Sequence, residues 1–215
     1  MPYLKICFLC CFYLNFLWAD SNPINLSEFQ LKPIIQSSFS EEKPRMRKGM
    51  LRKWKVGIGE WRIENGRLIG DELEENHHAS SLTHHFEAKN LVIKAQIRLG
   101  TADKIAFACR DTVPPKLHLA RLYISHNKLW IQHMSGIAKT TKSEKLITKK
   151  VSLDPNQWYD VTIQIIGNRY KAQIGEFILE AQHDRFADAK GIVALVNKGK
   201  GAEFKNVSLW HADLK

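Results

Sequence analysis

Apolar and polar residues alternate with a period of two along most of this chain. In the segment LVIKAQIRL (91–99), Leu91, Ile93, Ala95, Ile97 and Leu99 form an apolar series, and the positions between them are mostly polar. The segment WYDVTIQII (158–166) repeats the pattern. Because successive side chains of a β-strand point to opposite faces, such segments predict half-buried strands.

About a dozen short runs of this kind follow one another, separated by Gly, Asn, Asp or Pro. No long segment shows the periodicity of an amphipathic helix, and only DRFADAK (184–190) suggests a single helical turn. The pattern therefore predicts an all-β fold, a two-sheet antiparallel jelly-roll sandwich, in one domain.

Several turns of this sandwich can be placed from local chemistry. The stretch GEWRIENGRLIGDEL (59–73) contains two alternating runs around Asn65-Gly66, a pair that favours positive φ in a tight hairpin. His126-Asn127, Gly167-Asn168 and Gly175 occupy similar places between other runs. Neighbouring strands are therefore expected to follow one another in hairpins.

The N-terminus has a different composition. Residues 1–19 contain Lys5, an apolar run from Ile6 to Trp18 and a small residue, Ala19, before a polar one, which predicts a signal peptide. The apolar run is too short for the roughly 20 residues of a spanning helix. We expect a signal peptide at 1–19, a linker at 20–33 and the sandwich at 34–215, with export to the periplasm or the extracellular space.

Removal of that segment would change both the cysteine count and the charge. Three of the four cysteines lie within it, so Cys109 alone would remain and no internal disulfide could form. The net charge of +10 would become +9, from 31 basic and 22 acidic residues. A basic surface attracts anions, including acidic polysaccharides, although charge alone defines no site. Export argues against nucleic acid as a partner.

The order of motifs resembles that of the concanavalin A-like lectin/glucanase superfamily. The opening pattern is Trp54, Trp61, Asn65 and Gly66 in WKVGIGEWRIENGRLIGDEL (54–73), and the closing motif is AEFKNVSLW (202–210). Within the superfamily the chain resembles secreted domains grouped with 3-keto-disaccharide hydrolases. The resemblance covers roughly residues 34–213 and implies a jelly roll in which both tryptophans pack in the core rather than hold sugar.

The resemblance also directs attention to possible catalytic acids. Glucanases of the superfamily carry Glu-x-Asp-x-x-Glu on one strand, and this sequence contains no such motif. The acids of GDELEE, namely Asp71, Glu72, Glu74 and Glu75, match neither its order nor its spacing. In the keto-glycoside enzymes an acid is expected on the strand after IAFACR, where this chain has Ala120 and Arg121. Enzymatic activity is therefore left open, and no catalytic residue is assigned.

Polar side chains that alternate with the core residues define a candidate ligand surface. Arginine offers rigid forked donors for carboxylate, sulfate or paired hydroxyls, and small neighbours such as Ala106 and Ala108 leave room for a ligand. The alternative is an ordinary solvent-facing sheet with cross-strand charge pairs. We predict that one concave sheet face collects Gln96, Arg98, Arg110, Arg121 and Tyr123.

Histidines in NHHASSLTHH (76–85) form a second candidate site. Two pairs on adjacent strands would suit Zn, Ni or Cu, and the alternative is a set of polar positions at the edge of a hairpin. The histidines do not have the fixed spacing that is typical of a metal site. We therefore predict no cofactor and keep a bound divalent metal as the alternative. The four candidate ligands are His77, His78, His84 and His85. Cys109, which alternates with Ile105 and Phe107, is expected to be a buried small hydrophobe.

Together these patterns favour an exported module that binds carbohydrate, anionic or modified glycans in particular. The alternatives are a hydrolase or lyase acting on 3-keto-glycosides at the concave sheet, and a structural or protein-interaction domain without a small ligand. The expected partner is a glycan, bound by a monomer with no stable membrane insertion.

Overall fold

The structure is a computed structural model that describes residues 22–75, 77–113, 117–136 and 140–215. The predicted signal peptide lies outside these ranges. Within them, no helix is both long enough and apolar enough to cross a membrane.

Two antiparallel sheets form a sandwich, which confirms the predicted jelly-roll class. The nine strands of the first sheet are β1 (Phe29–Ser37), β2 (Lys43–Met46), β5 (Glu60–Glu64), β6 (Arg67–Asp71), β8 (Leu91–Arg98), β13 (Tyr159–Ile166), β14 (Arg169–Ile174), β15 (Phe177–Gln182) and β17 (Ala202–Leu214). Their order is β15-β14-β13-β8-β17-β6-β5-β2, with β1 also paired to β17.

The eight strands of the second sheet are β3 (Gly49–Leu51), β4 (Trp54–Ile58), β7 (Ser80–Ala88), β9 (Lys104–Asp111), β10 (His118–Ser125), β11 (Lys128–Ser135), β12 (Lys142–Lys150) and β16 (Lys190–Lys198). Their order is β12-β11-β10-β9-β16-β7-β4-β3.

The core lies between the sheets and contains the apolar series read from the alternation. All five apolar positions of the 91–99 segment are buried, as are Val161, Ile163 and Ile165 of β13. The expected helical turn is a 3₁₀ turn at Asp184–Ala187, which places Phe186 in the same core. Alternation therefore predicted the inward faces of these strands correctly.

Trp54 on β4 and Trp61 on β5 pack in the core and have no exposed surface. The indole of Trp54 donates to Ser37 Oγ (3.0 Å) and that of Trp61 to Ile58 O (3.1 Å), so each buried N–H has a partner. Gly70 on the adjacent strand leaves space for Trp61, because a Cβ there would lie 2.7 Å from the indole ring. The hairpin thus places Trp61 in the core from the nine-stranded sheet, and β4 places Trp54 there from the eight-stranded sheet.

The predicted turns join the expected strands. Asn65 and Gly66 have φ of 52° and 69° between β5 and β6, as their chemistry requires. Gly167 and Gly175 also have positive φ. His126 and Asn127 connect β10 to β11, but neither of them has a positive φ.

The domain begins earlier than the predicted boundary at residue 34. Strand β1 starts at Phe29, inside the range assigned to the linker, and runs antiparallel to the C-terminal strand β17. Phe29 pairs with Leu214 and Pro33 with Trp210. The segment forms an outer strand whose side chains remain largely exposed, and this exposure explains its polar composition. The polar composition had in turn suggested a linker.

Candidate functional site

The five residues predicted to share one surface lie on two different sheets. Gln96 and Arg98 belong to β8 of the nine-stranded sheet, whereas Arg110 is on β9 and Arg121 and Tyr123 are on β10 of the eight-stranded sheet. The prediction of a single surface was therefore wrong. Alternation separates inward from outward side chains, but it carries no information about which sheet a strand joins.

The two residues on the nine-stranded sheet have partners within the protein. Arg98 makes a two-pronged contact with Glu203, with Nε to Oε2 at 2.9 Å and Nη2 to Oε1 at 2.8 Å. Its guanidinium also lies 5.2 Å from the ring centroid of Trp158. Gln96 donates to Asp160 (3.0 Å) and accepts from Asn206 (2.9 Å). These contacts join β8 to its neighbours and leave little capacity for a ligand.

The remaining arginines come together with a histidine on the outer face of the eight-stranded sheet, the face that points away from the core. Arg121 Nη1 donates to Tyr123 Oη at 2.8 Å, and Nη2 lies 3.4 Å from His118 Nδ1. His118 is directly opposite Arg110 in the register of β9 and β10. We refer to Arg110, His118 and Arg121 as the arginine cluster.

The arginine cluster has no compensating acid. Within the described ranges, no carboxylate forms an ion pair with Arg110 or Arg121, and Arg121 Nε is buried without a hydrogen-bond partner. Burial, together with the nearby Arg121, lowers the pKa of Arg110. Burial and the two arginines lower the pKa of His118 to about 4, so its imidazole is neutral at pH 7. The cluster is therefore a positive site whose charge no carboxylate in the described part of the chain balances.

Small residues form the surface beside the cluster. Ala108 lies between Arg121 and Ala194 across the sheet, and Ala106 lies between Tyr123 and Val196. Ala106 and Ala108 are only 1% and 2% exposed, so larger neighbouring side chains cover them. The sequence analysis expected the alanines of IAFACR to leave room for a ligand; they lie on the same face as Arg110 and Arg121, but they add almost no open surface to it.

An aromatic pair continues the same face. Tyr123 and Trp130 stack with ring centroids 4.6 Å apart and an interplanar angle of 11°. Lys104 lies 5.7 Å from the Tyr123 centroid, and Trp130 donates to Gln132 Oε1 at 3.2 Å. Trp130 is only 9% exposed, so it supports the face rather than offering a free ring to a sugar.

Sequence reasoning missed His118, Trp130 and Gln132 as members of this surface. A signal for two of them was present, because a hairpin centred on His126-Asn127 pairs Tyr123 with Trp130 and Arg121 with Gln132, as observed. His118 had no such signal, since a register shift lies between it and Ala120.

The acids of GDELEE are engaged in ion pairs. Asp71 contacts Arg62 Nη1 at 2.5 Å and accepts from the backbone N–H of Gly201 at 2.7 Å. Glu72 accepts from the Gly199 N–H at 2.8 Å. The other ion pairs are Glu72–Lys198, Glu74–Lys200 and Glu75–Arg47. These carboxylates hold β6 and the segment after it against neighbouring loops, which agrees with the mismatch to the glucanase motif.

The four histidines predicted as a possible metal site do not form one. His84 and His85 are consecutive residues of β7 and therefore point to opposite faces of the sheet. His84 packs against Trp54, with ring centroids 5.4 Å apart, and its Nδ1 contacts Lys53 O at 2.8 Å. Neither pair contributes to the one group of potential metal donors found among the described residues.

That group consists of His133, Glu144 and His183, which we call the His–Glu cluster. One donor atom from each residue lies within 4.8 Å of the other two. The imidazoles of His133 and His183 stack with centroids 3.6 Å apart. Burial and the nearby His183 and Arg185 lower the pKa of His133, whereas Glu144 has a smaller opposite effect. No local sequence pattern indicates this group, because its members come from three separate segments.

Cys109 is fully enclosed, as predicted. Burial raises the pKa of its thiol to about 12, so the nucleophilic thiolate is not formed at neutral pH. It acts as a small core side chain.

Sandwiches of this class occur in several solved structures of carbohydrate-active proteins. The carbohydrate-binding module CBM66 from Bacillus subtilis is 15% identical, with a TM-score of 0.57 over 74% of this chain and 95% of that one. Porphyranase B from Zobellia galactanivorans is 10% identical, with a TM-score of 0.61 over 92% and 98%. An endo-β-1,3-glucanase from Pyrococcus furiosus is 11% identical, with a TM-score of 0.61 over 89% and 98%. At these identities the similarity establishes the two-sheet jelly-roll fold and nothing finer.

No family model and no curated protein sequence matches the chain. Membership of the 3-keto-disaccharide hydrolase family therefore stays a prediction.

Proposed function

We propose that the protein is a binding module for anionic or modified glycans, with the ligand held by the arginine cluster on the outer face of the eight-stranded sheet. The observation that carries the proposal is the pair Arg110 and Arg121, which lack an acidic partner within the described ranges. An arginine that is partly buried without a counter-ion is disfavoured in the free protein, and an anionic group would supply the missing charge and hydrogen bonds.

The fold and the composition support this proposal. Similar sandwiches include a carbohydrate-binding module and glycan-degrading enzymes. The net charge of +9 that would remain after removal of residues 1–19 favours the approach of acidic polysaccharides outside the cell. Sulfate and carboxylate groups match the forked geometry of guanidinium, so sulfated or uronic-acid glycans are the expected ligand class.

Replacing Arg110 tests the site. Arg110→Ala should weaken glycan binding by about 1.5 to 3 kcal/mol, or roughly 10- to 150-fold, because charge-assisted hydrogen bonds are lost. Its free energy of unfolding should change by less than about 1 kcal/mol, since no ion pair of Arg110 is broken. A glycan array at two salt concentrations would identify the ligand, and calorimetry would give the affinities.

The control is Arg169→Ala. Arg169 is an exposed arginine of β14 that pairs with Glu180 of β15, and both strands belong to the nine-stranded sheet. Its loss therefore removes the same charge from a place outside the arginine cluster. Equal weakening by both variants would show general charge attraction rather than a site. An array without a salt-sensitive ligand would contradict the proposed function.

We rank hydrolysis or elimination of 3-keto-glycosides second. It is favoured by the motif resemblance, but the outward positions of β9, β10 and β11 carry no carboxylate, so general acid–base catalysis there would need another group. Incubating the purified protein with a 3-keto-disaccharide, with and without divalent metal, tests it. Metal-dependent release of product would place the enzyme above the binding module. If the protein neither releases product nor binds glycans, the third alternative, a structural or interaction domain, would be favoured.

A further inference from the structure

The His–Glu cluster lies where the edges of the two sheets meet. His133 on β11 and Glu144 on β12 are direct cross-strand partners in the eight-stranded sheet. His183 follows β15, an edge strand of the nine-stranded sheet, and begins the 3₁₀ turn. The three side chains therefore converge from both halves of the sandwich. His133 pairs with Ala120, the residue before Arg121, so its side chain lies on the opposite face of the eight-stranded sheet from the arginine cluster.

A second observation singles out His133. The residue is only 7% exposed, and its Nε2 atom is buried without a hydrogen-bond partner. Leaving a buried ring nitrogen unsatisfied is costly, and such groups in native proteins often mark a missing ligand. The contact with a second imidazole and with a carboxylate supplies no hydrogen bond to this atom.

The donor set fits a borderline divalent metal. Two imidazoles and one carboxylate are the ligands of zinc sites that keep a fourth position open. Donors on a tetrahedral zinc lie roughly 3.3 Å apart, given metal–ligand distances of about 2.0 to 2.2 Å. The present donors lie within 4.8 Å of one another, so side-chain rotation over a short distance would complete the geometry.

We propose that His133, Glu144 and His183 form a binding site for a Zn²⁺-type transition metal that ties the edge of one sheet to that of the other. The proposal is independent of the glycan site.

Two neighbouring groups constrain this site. Arg185 brings a positive charge close to His133, but its guanidinium is paired with Asp111 at 2.9 Å and Asp188 at 3.0 Å. His183 Nδ1 accepts the Arg185 backbone N–H at 3.1 Å. If His183 bound the metal through Nε2, the ring proton would be on Nδ1. Nδ1 could then no longer accept the Arg185 N–H, so metal binding would replace this hydrogen bond.

The experiment uses the untagged chain from residue 20, stripped of metal and titrated with Zn²⁺ alone by calorimetry. We expect one ion per chain and a higher unfolding midpoint when Zn²⁺ is present. Glu144→Gln and His183→Asn should each lower the affinity at least roughly 10-fold and reduce the rise in midpoint at the same Zn²⁺ concentration. Both positions lie at or near the surface, and Asn keeps an acceptor for the Arg185 N–H, so these variants should fold.

The matched control is the double variant His77→Gln/His78→Gln, which removes two histidines from the segment first considered as a metal site. It should bind Zn²⁺ like the unaltered chain. Absence of stoichiometric binding would overturn the proposal, as would binding that survives in both cluster variants or is lost in the control. Visible absorption of bound Co²⁺ gives an independent readout, because loss of Glu144 or His183 should change its coordination spectrum.

Discussion

Lys190 is a buried lysine whose ammonium group is held by backbone carbonyls. It is 1% exposed, and its Nζ donates to Lys89 O at 2.6 Å and to Phe186 O. These contacts connect the 3₁₀ turn to the end of β7. Burial lowers the pKa of Lys190 to about 8, because desolvation disfavours the charged form and no carboxylate is hydrogen-bonded to it.

The lowered pKa makes a specific contribution to pH-dependent stability. Between about pH 8 and about pH 10.4, the unfolded lysine keeps its proton while the native one has lost it, so the Lys190 contribution to stability rises with pH. Relative to Lys190→Met, the native chain should gain on the order of 2 to 3 kcal/mol across this window. Urea unfolding of both proteins at several pH values measures the difference, and a difference that stays constant from pH 8 to 10.5 would contradict the assignment. Burial raises the pKa of Cys109 to about 12, so its thiol is neutral in the folded chain at these pH values. Ionisation of this thiol on unfolding is common to both proteins and largely cancels in the comparison.

At the scale of elements, strand β8 has one face in the core and the opposite face towards solvent. Its inward residues Ile93 and Ile97 have no exposed surface, while Lys94 on the opposite face is exposed. The strand is paired on both sides, with β13 and with β17, so its core residues lie at the centre of the nine-stranded sheet.

This position predicts a large cost for truncating a core side chain of β8. Ile97→Ala should lower the free energy of unfolding by roughly 2 to 5 kcal/mol, through lost burial and a cavity between Tyr159 and Phe204. Lys94→Ala on the same strand should change it by less than about 0.5 kcal/mol. Chemical denaturation of the two variants provides the comparison, and similar costs would mean that the inward and outward faces of β8 are wrongly assigned.

At the scale of the whole molecule, the first and last strands close the nine-stranded sheet together. Strand β1 covers an edge of β17 from Val207 to Leu214. The backbone groups on that side of β17 would otherwise be left unpaired, and such edges promote association between chains.

The pairing of β1 predicts the minimal stable domain. A chain starting at residue 34 should be less stable than one starting at residue 22 by about 2 kcal/mol or more, because several ladder hydrogen bonds to β17 are lost. It should also show more concentration-dependent aggregation. A chain starting at Ser27, which keeps all of β1, is the control and should behave like the longer one. Equal thermal midpoints for all three chains would restore residue 34 as the boundary.

The sequence by itself determined the strands, their inward faces and several of their turns. Alternation placed Leu91, Ile93 and Ile97 on one buried face, and Asn65-Gly66 located a hairpin, because strand periodicity and turn chemistry are local properties of the chain. The burial of Trp54 and Trp61 also followed from their place in alternating strands.

Only the tertiary structure decided which surfaces these elements share. Arg98 and Arg110 are on consecutive strands, yet the chain crosses from one sheet to the other between them, and strand pairing between distant segments is not written in either strand. The pairing of β9 with β10 brings Arg110 close to Arg121, and the meeting of sheet edges brings His133 to His183. Local pattern fixes the direction of a side chain relative to its own strand, whereas its neighbours are fixed by the competition among all strands for partners and for a place in one core.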